Sequence, residues 1–125
     1  MKLFNSITKK LEDFTPKNEV FVGLYSCGPT VYNNLHIGNL SAFIYADVLR
    51  RSLVANGYTV KHVMNITDVD DKTIRDSKLQ FPGDEPLKSL KKLTDKYTKV
   101  FIDDMKATGV GIDSIELISA VDTIP

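Results

Sequence analysis

The sequence predicts an α/β fold built on a parallel sheet, and three observations carry that expectation. A nearly continuous apolar run, Val20 to Tyr25, reads as a strand covered on both faces. A helical pattern over residues 40–56 follows it, with Ala42, Ala46, Leu49 and Leu53 recurring at spacings of 4, 3 and 4. A second run rich in β-branched residues, Tyr58 to Ile66, comes directly afterwards. Strand, helix and strand in this length make a βαβ unit, with a right-handed crossover.

Composition narrows the class. The chain has 125 residues, 42% hydrophobic and 26% charged, which suits one modest globular domain rather than a disordered segment. Lys plus Arg and Asp plus Glu balance at 16 each, so bulk charge makes no case for nucleic-acid binding. A single cysteine forbids an internal disulfide and fits a reducing compartment. No apolar run approaches the ~20 residues of a membrane span, and the N-terminus lacks a signal-peptide core. A cytoplasmic location without membrane attachment is the expectation.

In order along the chain, residues 1–16 mix apolar and polar side chains and suit a short strand or hairpin. Lys17-Asn18-Glu19 reads as a turn. The first strand then runs into Cys27-Gly28-Pro29-Thr30-Val31-Tyr32-Asn33-Asn34-Leu35-His36-Ile37-Gly38-Asn39, a loop ahead of a helix. Asn56-Gly57 stops that helix. After the second strand, Thr67 with Asp70 resembles a helix start, and Phe81-Pro82-Gly83 ends the helix. Asp84 is expected to cap a third helix, with Pro86 in its first turn. Leu87, Leu90, Leu93, Tyr97, Phe101 and Met105 form its apolar stripe, and Gly109 and Gly111 end it. The tail from Ile115 to Pro125 has apolar residues without a clear period and stops as if cut.

The loop between strand and helix holds the chemistry. A helix start offers unpaired N–H groups and partial positive charge, so α/β proteins often seat phosphates there. His36, with the backbone at Gly38 and Asn39, reads either as a phosphate contact or as an ordinary capping loop. Cys27 ends the strand on the ligand side of an open sheet, as a metal ligand or as buried structure. Cys27, His36, His62 and the carboxylates show no zinc spacing, so a complete zinc site within the chain is not expected. Asp68, Asp70 and Asp71 read better as complements to a helix dipole than as a cation site. Lys88, Lys91, Lys92, Lys96 and Lys99 read better as a solvated face than as an RNA contact.

Three pieces in order then become recognisable: Cys27-Gly28-Pro29-Thr30-Val31-Tyr32, His36-Ile37-Gly38-Asn39, and Asn65-Ile66-Thr67-Asp68-Val69-Asp70-Asp71-Lys72. With Leu3-Phe4-Asn5-Ser6 at the start, they resemble the bacterial-type cysteinyl-tRNA synthetases, class I aminoacyl-tRNA synthetases. The resemblance is clear from about residue 2 to 78. It implies that residues 1–125 are the N-terminal part of a Rossmann-type catalytic domain, the first half of a parallel nucleotide-binding sheet.

It further implies an ATP-dependent ligase that activates L-cysteine as an adenylate and transfers it to tRNA(Cys). His36 matches the residue that helps bind ATP and stabilise the adenylation transition state. Thr30, Gly38 and Asn39 join it on the ATP side, with Mg2+ accompanying ATP. Cys27, Gly28 and Thr67 match the cysteine pocket, and Cys27 matches one of four ligands of a Zn2+ that binds the substrate thiolate. A soft zinc–thiolate bond rejects an oxygen analogue more strongly than an apolar pocket could.

The chain departs from the family in carrying Asn39 where the signature usually has His. The Lys-Met-Ser-Lys-Ser signature and the other three zinc ligands are absent. The segment alone is therefore expected to be inactive, and to self-associate or need a partner through an open sheet edge. The full-length protein is expected to be a monomer. Two other readings stay open: a cysteine ligase of the mycothiol pathway, and a non-catalytic domain that binds nucleotide or a partner.

Overall fold

Side-chain alternation decides which side of the sheet becomes the core. In Val60–Ile66, His62, Met64 and Ile66 are buried, while Lys61 is exposed and Val63 and Asn65 are half-buried between them. That period of two marks a strand with one covered face. The computed structural model describes residues 1–121, and the elements over them are β1 (Lys2–Asn5), β2 (Lys10–Asp13), β3 (Val22–Ser26), α1 (Ile37–Ala55), β4 (Val60–Ile66), α2 (Asp71–Gln80), α3 (Pro86–Ala107) and β5 (Ile115–Ser119). A single 3-10 turn, Ile112–Ser114, leads into β5.

β3, β4 and β5 form a parallel sheet in that order, with Leu24 opposite His62 and His62 opposite Ile115. β1 and β2 form a separate antiparallel hairpin, as the sequence led us to expect. Phe14, just after it, meets Tyr58 edge to face with ring centroids 5.6 Å apart.

The crossover helices share one face of the sheet. Phe43 of α1 and Phe101 of α3 meet at 5.3 Å in a T-shaped pair, over Met64, Ile66 and Ile115. Phe101, Met105 and Met64 are at most 1% exposed, and each such side chain contributes about 2–3 kcal/mol on burial.

Several expectations need correction. α1 begins at Ile37 rather than at residue 40, because His36 provides the cap. Its buried residues are Phe43, Asp47 and Leu53, and Ala42 is exposed. β3 is covered on one face only among the described residues, since both crossover helices lie on the same side. The cap of α2 is Asp70 with Thr73, not Thr67 with Asp70. Asp84 does not cap α3; Glu85 holds that position without a side-chain bond, and Asp84 pairs with Lys92 at 2.5 Å. Leu87 is exposed, outside the buried stripe. The tail forms β5, an ordered third strand; residues 122–125, with the expected chain end, lie outside the described residues.

Candidate functional site

The site grows from a bulge at the end of β3. Ser26 pairs with Met64, and parallel pairing resumes between Thr30 and Thr67. Residues 27–29 thus stand against 65–66, one extra residue that re-aims the chain. Val31 N–H donates to Thr67 O at 3.2 Å, and Thr67 N–H to Pro29 O at 3.0 Å, closing the bulge.

Gly28 is required there by close approach. A Cβ at this position would lie 1.8 Å from the carbonyl oxygen of Asn65, a backbone atom that cannot swing aside. Its N–H donates to Asn65 Oδ1 at 3.2 Å. The same oxygen accepts from the Tyr25 hydroxyl at 2.9 Å, and Asn65 Nδ2 donates to Thr67 Oγ1 at 3.1 Å. The expected cysteine-side residues Gly28 and Thr67 are therefore joined through Asn65. Cys27 beside them is exposed, which removes the buried-structure reading of its thiol.

His36 is the N-cap of α1, and its Nδ1 accepts from Gly38 N–H at 3.0 Å. Asn39 completes the box, its Oδ1 accepting from His36 N–H at 3.3 Å. This arrangement places the proton of a neutral imidazole on Nε2, leaving that N–H to donate outward. A Cβ on Gly38 would approach His36 Cε1 to 2.9 Å, so the glycine leaves the ring its place. Thr30 is half-buried in the bridge to Thr67. Lys72, at the start of α2, holds its ammonium 5.3 Å from the Tyr32 ring centroid.

The carboxylates after β4 have structural duties. Asp70 Oδ1 accepts from Lys72 N–H at 2.8 Å and caps α2. Asp68 lies outside that helix and accepts from the Ser119 hydroxyl and, at 3.2 Å, from Val121 N–H, tying β4 to the end of β5. Among the described residues no group of three or more His, Cys, Asp or Glu is placed to hold a metal ion.

On the Lys-rich face of α3, Lys91 pairs with Asp95 and Lys92 with Asp84, a solvated arrangement with local partners. A groove of about 470 Å³, lined by Asp68, Leu87, Leu90, Thr94 and Leu117 among others, contains none of the expected site residues. No described helix is long and apolar enough to cross a membrane.

Away from this loop, His62 is buried with Nε2 2.8 Å from Ser26 Oγ, and its Nδ1 has no partner among the described residues. Burial lowers its pKa, the Arg50 charge lowers it further, and Asp47 opposes both. For Asp47, burial acts to raise the pKa, but the hydrogen bonds and charges of Arg50 and Arg51 outweigh it and the net shift is downward.

Sequence reasoning quoted Asn65 within a motif but assigned it no role. The available signal was a polar residue in strand alternation with Met64 and Ile66, placed at the strand's ligand end.

A parallel sheet with a bulged loop running into a helix start is a partial Rossmann-like α/β domain. The family model described as "tRNA synthetases class I (C) catalytic domain" matches residues 13–124, and the chain belongs to that family. It is 52% identical over 107 residues to the cysteine–tRNA ligase of Brachyspira hyodysenteriae, covering 86% of this chain and 21% of the relative. The cysteine–tRNA ligase of Pyrococcus horikoshii is 46% identical over 110 residues, covering 88% and 22%. That of Koribacter versatilis is 43% identical over 124 residues, covering 99% and 24%. The chain thus spans about a fifth to a quarter of these relatives' length.

Proposed function

We propose that residues 1–125 supply the first half of the active site of an ATP-dependent cysteine–tRNA ligase. In this reading the complete polypeptide activates L-cysteine with ATP, releases pyrophosphate and passes the cysteinyl group to tRNA(Cys). The observation that carries it is the parallel bridge of Thr30 to Thr67, which sets the bulge after β3 beside the C-terminal end of β4, with the His36 cap of α1 further along the same loop. Open α/β sheets bind their ligands at that end.

Each residue has a part in this proposal. His36 Nε2–H and the start of α1 stabilise charge on the ATP phosphates, with Mg2+ as ATP's counterion. An anion there competes with His36 Nδ1 for the Gly38 N–H, so ligand contact falls chiefly to the outward Nε2–H. Thr30 and Asn39 shape the same edge, though Asn39 already spends its oxygen on the His36 N–H. Gly28 and Thr67 line the cysteine side. Cys27 offers one soft thiolate to a zinc ion whose other ligands come from outside these residues; bound zinc would supply a thiolate-selective contact. Adenylyl transfer needs little covalent help, so positioning and charge stabilisation are what this half contributes.

The test is ATP–pyrophosphate exchange by the complete polypeptide. Exchange that requires L-cysteine and is not driven by L-serine is the expected result. Exchange driven equally by serine, or none with any amino acid, contradicts the reading.

A further inference from the structure

The amide orientation of Asn65 has a consequence for Thr67. A backbone N–H can only donate, so the Asn65 atom 3.2 Å from Gly28 N must be the oxygen. The NH2 group then faces Thr67 Oγ1 at 3.1 Å, which makes that hydroxyl oxygen an acceptor toward Asn65. Its own proton is left for a different acceptor. The Tyr25 hydroxyl, 2.9 Å from the same Asn65 oxygen, holds the amide from the other side. Asn65 follows the buried Met64 on β4 and precedes the buried Ile66, so its side chain lies on the face the helices do not cover.

We propose that Asn65 is a positioning residue that presents the Thr67 hydroxyl as a hydrogen-bond donor to a carboxylate or acyl oxygen of the bound amino acid. This rests on the reading of the cysteine pocket given under Proposed function. A purely structural Asn65 would pin the bulge through Gly28 and leave the polarity of Thr67 without consequence. Asn65→Asp separates the two roles. A carboxylate still accepts from Gly28 N–H and Tyr25, but it offers Thr67 an acceptor, and the Thr67 proton turns toward it.

The experiment measures exchange kinetics of the complete polypeptide with Asn65→Asp, Thr67→Val and the double variant. It also follows melting temperature and protection of the Gly28 amide. The expected result is a rise in KM for cysteine of about tenfold in each single variant, the size of one lost hydrogen bond to a charged group, with KM for ATP, melting temperature and amide protection unchanged. Because both act through one hydroxyl, the double variant loses no more than Thr67→Val alone.

Additive losses, which direct charge repulsion by the new aspartate would give, overturn the proposal. Loss of Gly28 protection with melting in Asn65→Asp does so too, as does an unchanged cysteine KM in Thr67→Val, whose valine needs no polar partner. A wild-type protein without cysteine-dependent exchange fails the underlying reading instead. An active wild type with unaffected variants fails this inference alone.

Discussion

Gly28 is the residue on which the site depends most sterically. The gap to the Asn65 carbonyl leaves no room for a methyl, so Gly28→Ala must part the ends of β3 and β4. The cost is expected at about 3 kcal/mol, the upper end of overpacking effects, read from chemical denaturation. Gly38 behaves differently, since its neighbour is a ring on the surface rather than backbone. Both glycines stand in recognisable motifs, but only the structure tells which one guards packing.

His62 gives the chain a pH dependence. Its folded pKa is depressed by burial, so between that value and about 6.5 the unfolded chain binds the extra proton. Stability therefore falls as pH drops below about 6.5, by at most about 1.4 kcal/mol per pH unit from this group, and levels off below the folded value. Urea titrations at several pH values check this, and His62→Gln should flatten the slope. Asp47 acts further down: its stabilising pairs are present above the ordinary carboxylate range and are lost as pH falls through its lowered value.

At the scale of elements, strand–helix–strand was legible because apolar content and period changed together at Tyr25, Asn39 and Gly57. Boundaries were less so. Thr67 and Asp70 have the same spacing as Asp70 and Thr73, and composition cannot say which pair folds into the cap. The parallel bridge to Thr30 claims Thr67 and leaves the cap to Asp70. Asp70→Ala is expected to cost about 1 kcal/mol, seen as a lower melting temperature. β5 was missed because its central and final residues are only half-buried, which blurs alternation. Its pairing with β4 and the tie from Asp68 come from far along the chain, where a local reading has no access.

For the molecule as a whole, the arrangement leaves work for a partner surface. α1 and α3 cover one face of the sheet, while Tyr25 on the other is 64% exposed and β3 has no strand on its outer side among the described residues. An apolar, unpaired edge favours association. Sedimentation of the 125-residue chain is expected to show concentration-dependent self-association, and an ideal monomer at all concentrations would argue against it. The motifs made the family and the loop between the first parallel strand and its helix legible. The bridge through Asn65 and the single covered face were not, since both depend on register between distant strands.

The most direct test of the account is the role of His36 in cysteine-dependent ATP–pyrophosphate exchange by the complete polypeptide. His36→Asn keeps a good N-cap acceptor but removes the imidazole Nε2–H. If that group stabilises the developing charge on ATP, kcat falls by about 100-fold with the melting temperature unchanged. Exchange within about twofold of wild type would contradict the account, because that loss is far below what removing a transition-state donor costs.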